Sequence, residues 1–139
     1  MTQDLPKLAS LLATYLRYGT GDSHVYARVI LADDPDNQDD RDYIAVGHCV
    51  QGVEAELYNV VPIIKPNRYT LYRIVDYPGS RHEPPSSDVK VVGESVDIMT
   101  ILGSITRSIV GERLASAQEC LAYDLEHPAE HGLHPEGDA

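Results

Sequence analysis

An N-terminal helix, an antiparallel sheet of about four or five strands and a long C-terminal helical region, together an α+β domain, is the fold the sequence predicts. Three observations carry that expectation. Apolar residues recur at helical spacing between residues 4 and 18. Runs of β-branched and aromatic residues, punctuated by Pro, Gly, Asp and Asn, fill residues 23–93. From residue 95 to Pro128 no proline interrupts the chain.

The first helix starts with Asp4 as a cap and Pro6 in the first turn, where a missing N–H costs nothing. Leu5, Leu8, Leu12, Tyr15 and Leu16 fall on one stripe, and Gly19 and Gly21 end it. A strand over residues 23–32 follows, with Val25, Ala27, Val29 and Leu31 alternating with other residues. The run DDPDNQDD breaks it, since Pro, Asp and Asn favour turns. Residues 43–50 read as a strand, Gln51-Gly52 as a hairpin turn and 53–64 as the returning strand, with Pro62 near its end. A short helix over 53–61 competes, and periodicity does not separate the two. Lys65-Pro66-Asn67 is a turn. Residues 68–77 (RYTLYRIVDY) form the clearest strand, 78–87 a proline-rich loop and 88–93 a last short strand.

The helical region runs from Ser95, read as its cap, to about Glu126, with Asp97 in the first turn. Ile98, Leu102, Ile105 and Ile109 form one stripe; Leu114, Ala117, Leu121 and Leu125 form a second, rotated one. The change falls near Gly111, where a kink or break is expected. Ser104, Ser108, Gly111 and Ala115 make a seam of small residues, suited either to the protein's own sheet or to a partner surface. The organisation expected is one domain over 1–126 and a polar, acidic, His-containing tail over 127–139.

The 139 residues suffice for one core, and 42% hydrophobic with 24% charged residues is ordinary globular composition. All nine aromatics are Tyr. Buried Tyr needs a partner for its hydroxyl, so several are expected half-buried at the core edge or an interface. The formal net charge of −11 argues against a nucleic-acid backbone and an anionic membrane surface as partners. The acid is localised: six acids lie in residues 33–42 and six from Glu119 onward, while 43–118 carries eight acids and seven bases. Two cysteines, Cys49 and Cys120, have no metal or redox spacing, and a reducing, cytoplasmic setting is the simplest expectation. The N-terminal segment has an early acid and no basic run, unlike a secretory signal, and no apolar run approaches a membrane span.

Motifs for chemistry are sparse. The acidic loop lacks the Gly an EF-hand needs at its sixth position and reads as a solvated loop. His127, His131 and His134 lie among prolines and Gly132, which disfavours a helical metal site. His48 and Cys49 are adjacent on a strand and point to opposite faces, so they do not form a nucleophile–base pair. The most reactive-looking stretch is the loop Tyr77, Pro78, Gly79, Ser80, Arg81, His82 and Glu83. Its backbone N–H groups and Arg81 suit an anion, and His82 and Glu83 suit proton exchange, but an ordinary surface loop is the simpler reading. No metal, cofactor or catalytic residue is expected. The expected function is a small, acidic, non-enzymatic interaction protein — an inhibitor, anti-defence or immunity factor, or a bacterial or phage assembly component — acting through a protein partner or self-association. Two alternatives are a binder of an anionic small molecule or nucleotide at residues 77–83, and a small acid–base enzyme using His82 and Glu83.

Overall fold

A computed structural model describes residues 4–34, 36–37 and 40–128. Helix α1 (Leu5–Thr20) begins where the Asp4 carboxylate accepts the Lys7 N–H at 3.1 Å. It ends at Gly21, whose left-handed backbone (φ 69°) turns its N–H onto the Arg17 carbonyl. Gly19 therefore lies inside the helix and does not end it. A side chain there would press on Thr106, so its absence lets the second helix approach closely.

Five strands follow: β1 (Val25–Ile30), β2 (Tyr43–Val50), β3 (Val53–Pro62), β4 (Tyr69–Tyr77) and β5 (Ser86–Val96). They form one antiparallel sheet in sequence order. The β2–β3 turn puts both Gln51 (φ 52°) and Gly52 (φ 80°) in the left-handed region, as a two-residue hairpin with the sheet's own twist requires. The segment 53–61 is thus strand and not helix. The first strand is shorter than the periodicity suggested, and the last is longer, reaching back to Ser86.

Helix α2 (Ile98–Glu126) is a single unbroken helix through Gly111. Its cap is Asp97, accepting from the Thr100 N–H at 2.8 Å, and not Ser95, which sits at the end of β5 with φ 52°. Pro128 follows the end of the helix; of the expected tail, residues 129–139 lie outside the described residues.

Both helices pack on one face of the sheet. The core joins Leu12 and Leu16 of α1 and Ile101, Ile105 and Ile109 of α2 to Val25, Ile44, Val46, Val60, Tyr69 and Leu71. The other face carries half-buried Tyr26, Tyr43 and Tyr72. Tyr suits this position, because its ring covers apolar backbone while its hydroxyl reaches water. The Tyr26 ring crosses over Gly47, a buried residue with no room for a side chain between the Tyr26 hydroxyl and the Ala55 carbonyl.

Two segments leave this body. The β3–β4 ladder stops at Tyr58 opposite Arg73, but β4 and β5 stay paired through Tyr77 opposite Ser86. That makes a two-stranded ribbon, exposed at every residue from 76 to 92. The second segment is the distal half of α2, residues 110–126, where every residue but Asp124 is exposed.

Two glycines give a paired test of this geometry. Gly47→Ala should lose more than about 1–3 kcal/mol in urea unfolding, because the backbone carbonyl in its way cannot move aside. Gly111→Ala meets nothing within 4 Å on an exposed helix and should gain up to about 1 kcal/mol.

Candidate interaction site

The residues singled out at 77–83 form the tip of the β4–β5 ribbon. Gly79 is required there: a Cβ would strike Pro85 and the Glu83 carbonyl. The Ser80 N–H donates to the Glu83 carbonyl at 2.8 Å, and the Ser80 Oγ accepts the His82 and Glu83 N–H groups at 3.2 and 3.1 Å. The Ser80 N–H, expected with that of Gly79 to face an anion, is therefore spent inside the turn. The side chains of Arg81, His82 and Glu83 are exposed. A shallow hollow of about 440 Å³ beside the tip is lined by Asp76, Tyr77, Pro78, Pro85, Ser86 and Ser87, and by no cation.

The small-residue seam of α2 divides between two environments. Ser104 and Ser108 are half-buried, while Gly111 and Ala115 are exposed. Ser108 is tied to the sheet. Its Oγ accepts from the Tyr58 hydroxyl at 2.6 Å and from the Arg73 guanidinium at 3.0 Å. Arg73 also donates to the Tyr58 hydroxyl at 2.6 Å and to Glu112 at 2.7 Å. Burial alone would lower the Arg73 pKa, but the Glu112 carboxylate and Tyr58 outweigh it and raise the pKa. Sequence spacing gives no hint of this cluster, since its members come from β3, β4 and α2.

A second cluster went unseen for the same reason. His48 on β2 bonds Asp22, in the α1–β1 turn, at 2.9 Å, and the His24 ring meets the His48 ring edge-on at 5.6 Å. Arg113 of α2 donates to the Thr20 carbonyl at 2.8 Å beside them. His48 thus has a satisfied ring and faces away from Cys49, as the strand alternation required. A cleft of about 390 Å³ opens here, lined by Asp22, His48, Leu57, Ile109, Glu112 and Arg113. Its carboxylates and cations compensate one another, which makes it a tie between the layers.

Among the described residues no group of three His, Cys, Asp or Glu side chains is placed to hold a metal ion. In the described part of the acidic loop, carboxylates turn inward to the loop's own backbone: Asp42 accepts from the Ala32 N–H, Asp40 from Asp34 and Asp34 from Asp36. His127 stacks on Tyr123 at 4.2 Å; His131 and His134 lie outside the described residues. No described helix is long and apolar enough to cross a membrane.

Exposed apolar side chains include Tyr18, Leu31, Val53 and Ile64 on the body, and runs of them lie on the two projecting segments. The distal α2 bears Val110, Leu114, Leu121 (60% exposed) and Leu125 (72%). The ribbon bears Tyr77, Val89, Val91 and Val92. A third patch lies on the outside of the helical layer, where Leu11, Tyr15 and Met99 (72%) border an apolar groove between α1 and α2. No protein-family model, curated protein or solved structure matches this chain.

The Asp22–His48 tie has a pH signature. Burial raises the Asp22 pKa, but bonds from the His24 N–H and His48, with the charges of His48 and Arg113, more than offset that and hold it below 3.8. A carboxylate depressed in the folded state stabilises above its unfolded pKa and loses that contribution as pH falls through the folded value. Asp22→Asn should therefore cost about 1 kcal/mol of unfolding free energy at pH 7. Urea titrations should show the gap narrowing below pH 3.8.

Proposed function

We propose that this chain is a small, acidic, non-enzymatic interaction protein that self-associates and uses its two projecting segments as contact arms. The observation that carries this reading is the distal half of α2. Residues 114–126, about 20 Å at 1.5 Å each, extend beyond the last bonds to the body, those of Glu112 and Arg113, with a row of exposed leucines. Burying one such leucine is worth about 1.5–3 kcal/mol. A monomer would forgo that several times over, and a helical segment of this length is marginal in water without packing. The β4–β5 ribbon argues in the same direction, because an isolated two-stranded hairpin is scarcely stable alone. Contiguous exposed apolar surface of this kind marks protein contact sites.

The tip at Tyr77, Gly79, Ser80, Arg81, His82 and Glu83 fits a protein contact better than an anion pocket, since Ser80 and its neighbours satisfy one another. The acidic surface fits a partner with basic side chains and disfavours nucleic acid.

Light scattering on the purified chain should give a mass at least twice 15.3 kDa. A monomer at all concentrations up to the millimolar range overturns self-association.

A further inference from the structure

The partner of the α2 arm can be read from the helix itself, on the footing that the chain self-associates. Helix α2 carries two apolar rows. One row, centred on Ile101, Ile105 and Ile109, is buried in the core. The other is turned about 160° from it, at the 3.6 residues per turn of an α-helix, and faces outward along the whole helix. This outer row starts at Met99, passes Gly103, Arg107 and Val110, and continues through Leu114 and Ala117 to Leu121 and Leu125. Its steps are 4, 4, 3, 4, 3, 4 and 4 residues, the same read from either end.

A palindromic row is self-complementary under a two-fold axis. With the axis at residue 112, an antiparallel second α2 puts Leu125 against Met99 and Leu114 against Val110. Leu121 then faces Gly103, where it takes the place of the Arg107 guanidinium that lies over this glycine in the single chain. Arg107 faces Ala117, a small residue that leaves the guanidinium room to lie across it. The same operation lays the arm of each copy beside the apolar groove of the other, a space of about 190 Å³ lined by Leu8, Leu11, Tyr15, Met99 and Leu102 among others. The arm cannot reach this groove within its own chain, because α2 is one continuous helix that leads away from it.

Charge selects the direction of pairing. Helix α1 and residues 98–109 of α2 hold Lys7, Arg107 and Arg17, the last turned onto the Val25 carbonyl, and no Asp or Glu besides the caps Asp4 and Asp97 at their starts, although the chain as a whole is at −11. The arm, residues 110–126, holds Glu112, Glu119, Asp124 and Glu126 against Arg113 alone. Antiparallel pairing sets the acidic arm along the basic layer; parallel pairing would set acidic arm on acidic arm. We propose that the occupant of the outer α2 face is a second copy of this chain, joined in a two-fold antiparallel α2–α2 pair in which each arm seats beside the partner's α1–α2 groove. Such a contact is isologous and closes as a dimer.

The test uses the full chain. Leu121→Asp should convert the wild-type dimer to monomer by light scattering, with an unchanged far-UV circular dichroism spectrum and thermal midpoint at low concentration. Leu125→Asp, further from the core, serves the same purpose should Leu121→Asp misfold. Gly103→Leu and Leu121→Ala should each weaken the homodimer at least tenfold. Mixed in equal amounts they should pair preferentially with each other, because the heterodimer holds one Leu over Gly and one Leu over Ala. Native mass spectrometry reads that ratio directly. Raising salt from 50 to 500 mM should weaken the wild-type dimer. A wild-type oligomer that survives both Asp substitutions, or a Gly103→Leu and Leu121→Ala mixture with no preference for the heterodimer, overturns this pairing and leaves self-association standing. A monomeric wild-type chain overturns both.

Discussion

Arg73 is the hinge pin of this molecule. It is the last β4 residue paired with β3, and its guanidinium reaches Ser108 and Glu112 on α2 and the hydroxyl of Tyr58 on β3. Beyond it in one direction the β4–β5 ribbon continues without the rest of the sheet. Beyond Arg113, which bonds the Thr20 carbonyl, α2 continues in the other with no further bond to the body among those described. A guanidinium partly withdrawn from water needs partners, and the three acceptors brought to Arg73 tie the helix to the sheet at this point. Both arms are rooted at that point, and their mutual placement follows from it.

The larger features of the fold were legible because local chemistry and global fold agree. Asp4 and Pro6 start α1, Gln51-Gly52 turns β2 into β3, and residues 43–50, a mostly apolar run between the acidic loop and that turn, give a strand with correct ends. The misreadings each have a local cause. Ser95 and Asp97 are both good caps, and the choice between them was made by β5, which extends to Val96 and leaves Asp97 as the first free carboxylate before the helix. Gly111 is a weak helix residue, but its neighbours are strong helix formers and the penalty of about 1 kcal/mol does not break the run. The polar clusters were not legible at all. His48 with Asp22 and Arg73 with Ser108 depend on which strand faces which helix, and no spacing along the chain encodes that.

The tyrosine-only aromatic set follows from a two-layer architecture with one covered face. Tyr58 and Tyr69 are core residues, and the Tyr58 hydroxyl is bonded within the Arg73 cluster. Tyr26, Tyr43 and Tyr72 pave the opposite face, where Phe would leave a wholly apolar sheet surface. Burial raises the pKa values of Tyr26 and Tyr43, so both keep their hydroxyl protons at physiological pH. The rings share this face with Arg28, which lies over the Tyr26 ring and pairs with Glu54, and with Glu56. Most of the chain's acidity is held elsewhere, in residues 33–42 and on the α2 arm and the residues after it.

Helix α2 shows why a summed amphipathicity measure overlooks such a helix. Its two rows point nearly opposite ways, so their contributions cancel along its 29 residues. Each row separately is as regular as that of an ordinary surface helix. The inner row belongs to folding and is complete at Ile109. The outer row begins before the inner one ends, and it is the outer row that continues along the arm. On the proposed pairing, association and local order are then one equilibrium: the copy that supplies the groove stabilises the arm of the other by mass action. At low concentration the arm has only its own helical propensity to hold it, while α1, the sheet and the first half of α2 retain their core. Loss of the partner should therefore fray residues 114–126 first and leave the Arg73 cluster intact, because its last member, Glu112, and the Arg113 bond to Thr20 lie before the segment that depends on a second chain.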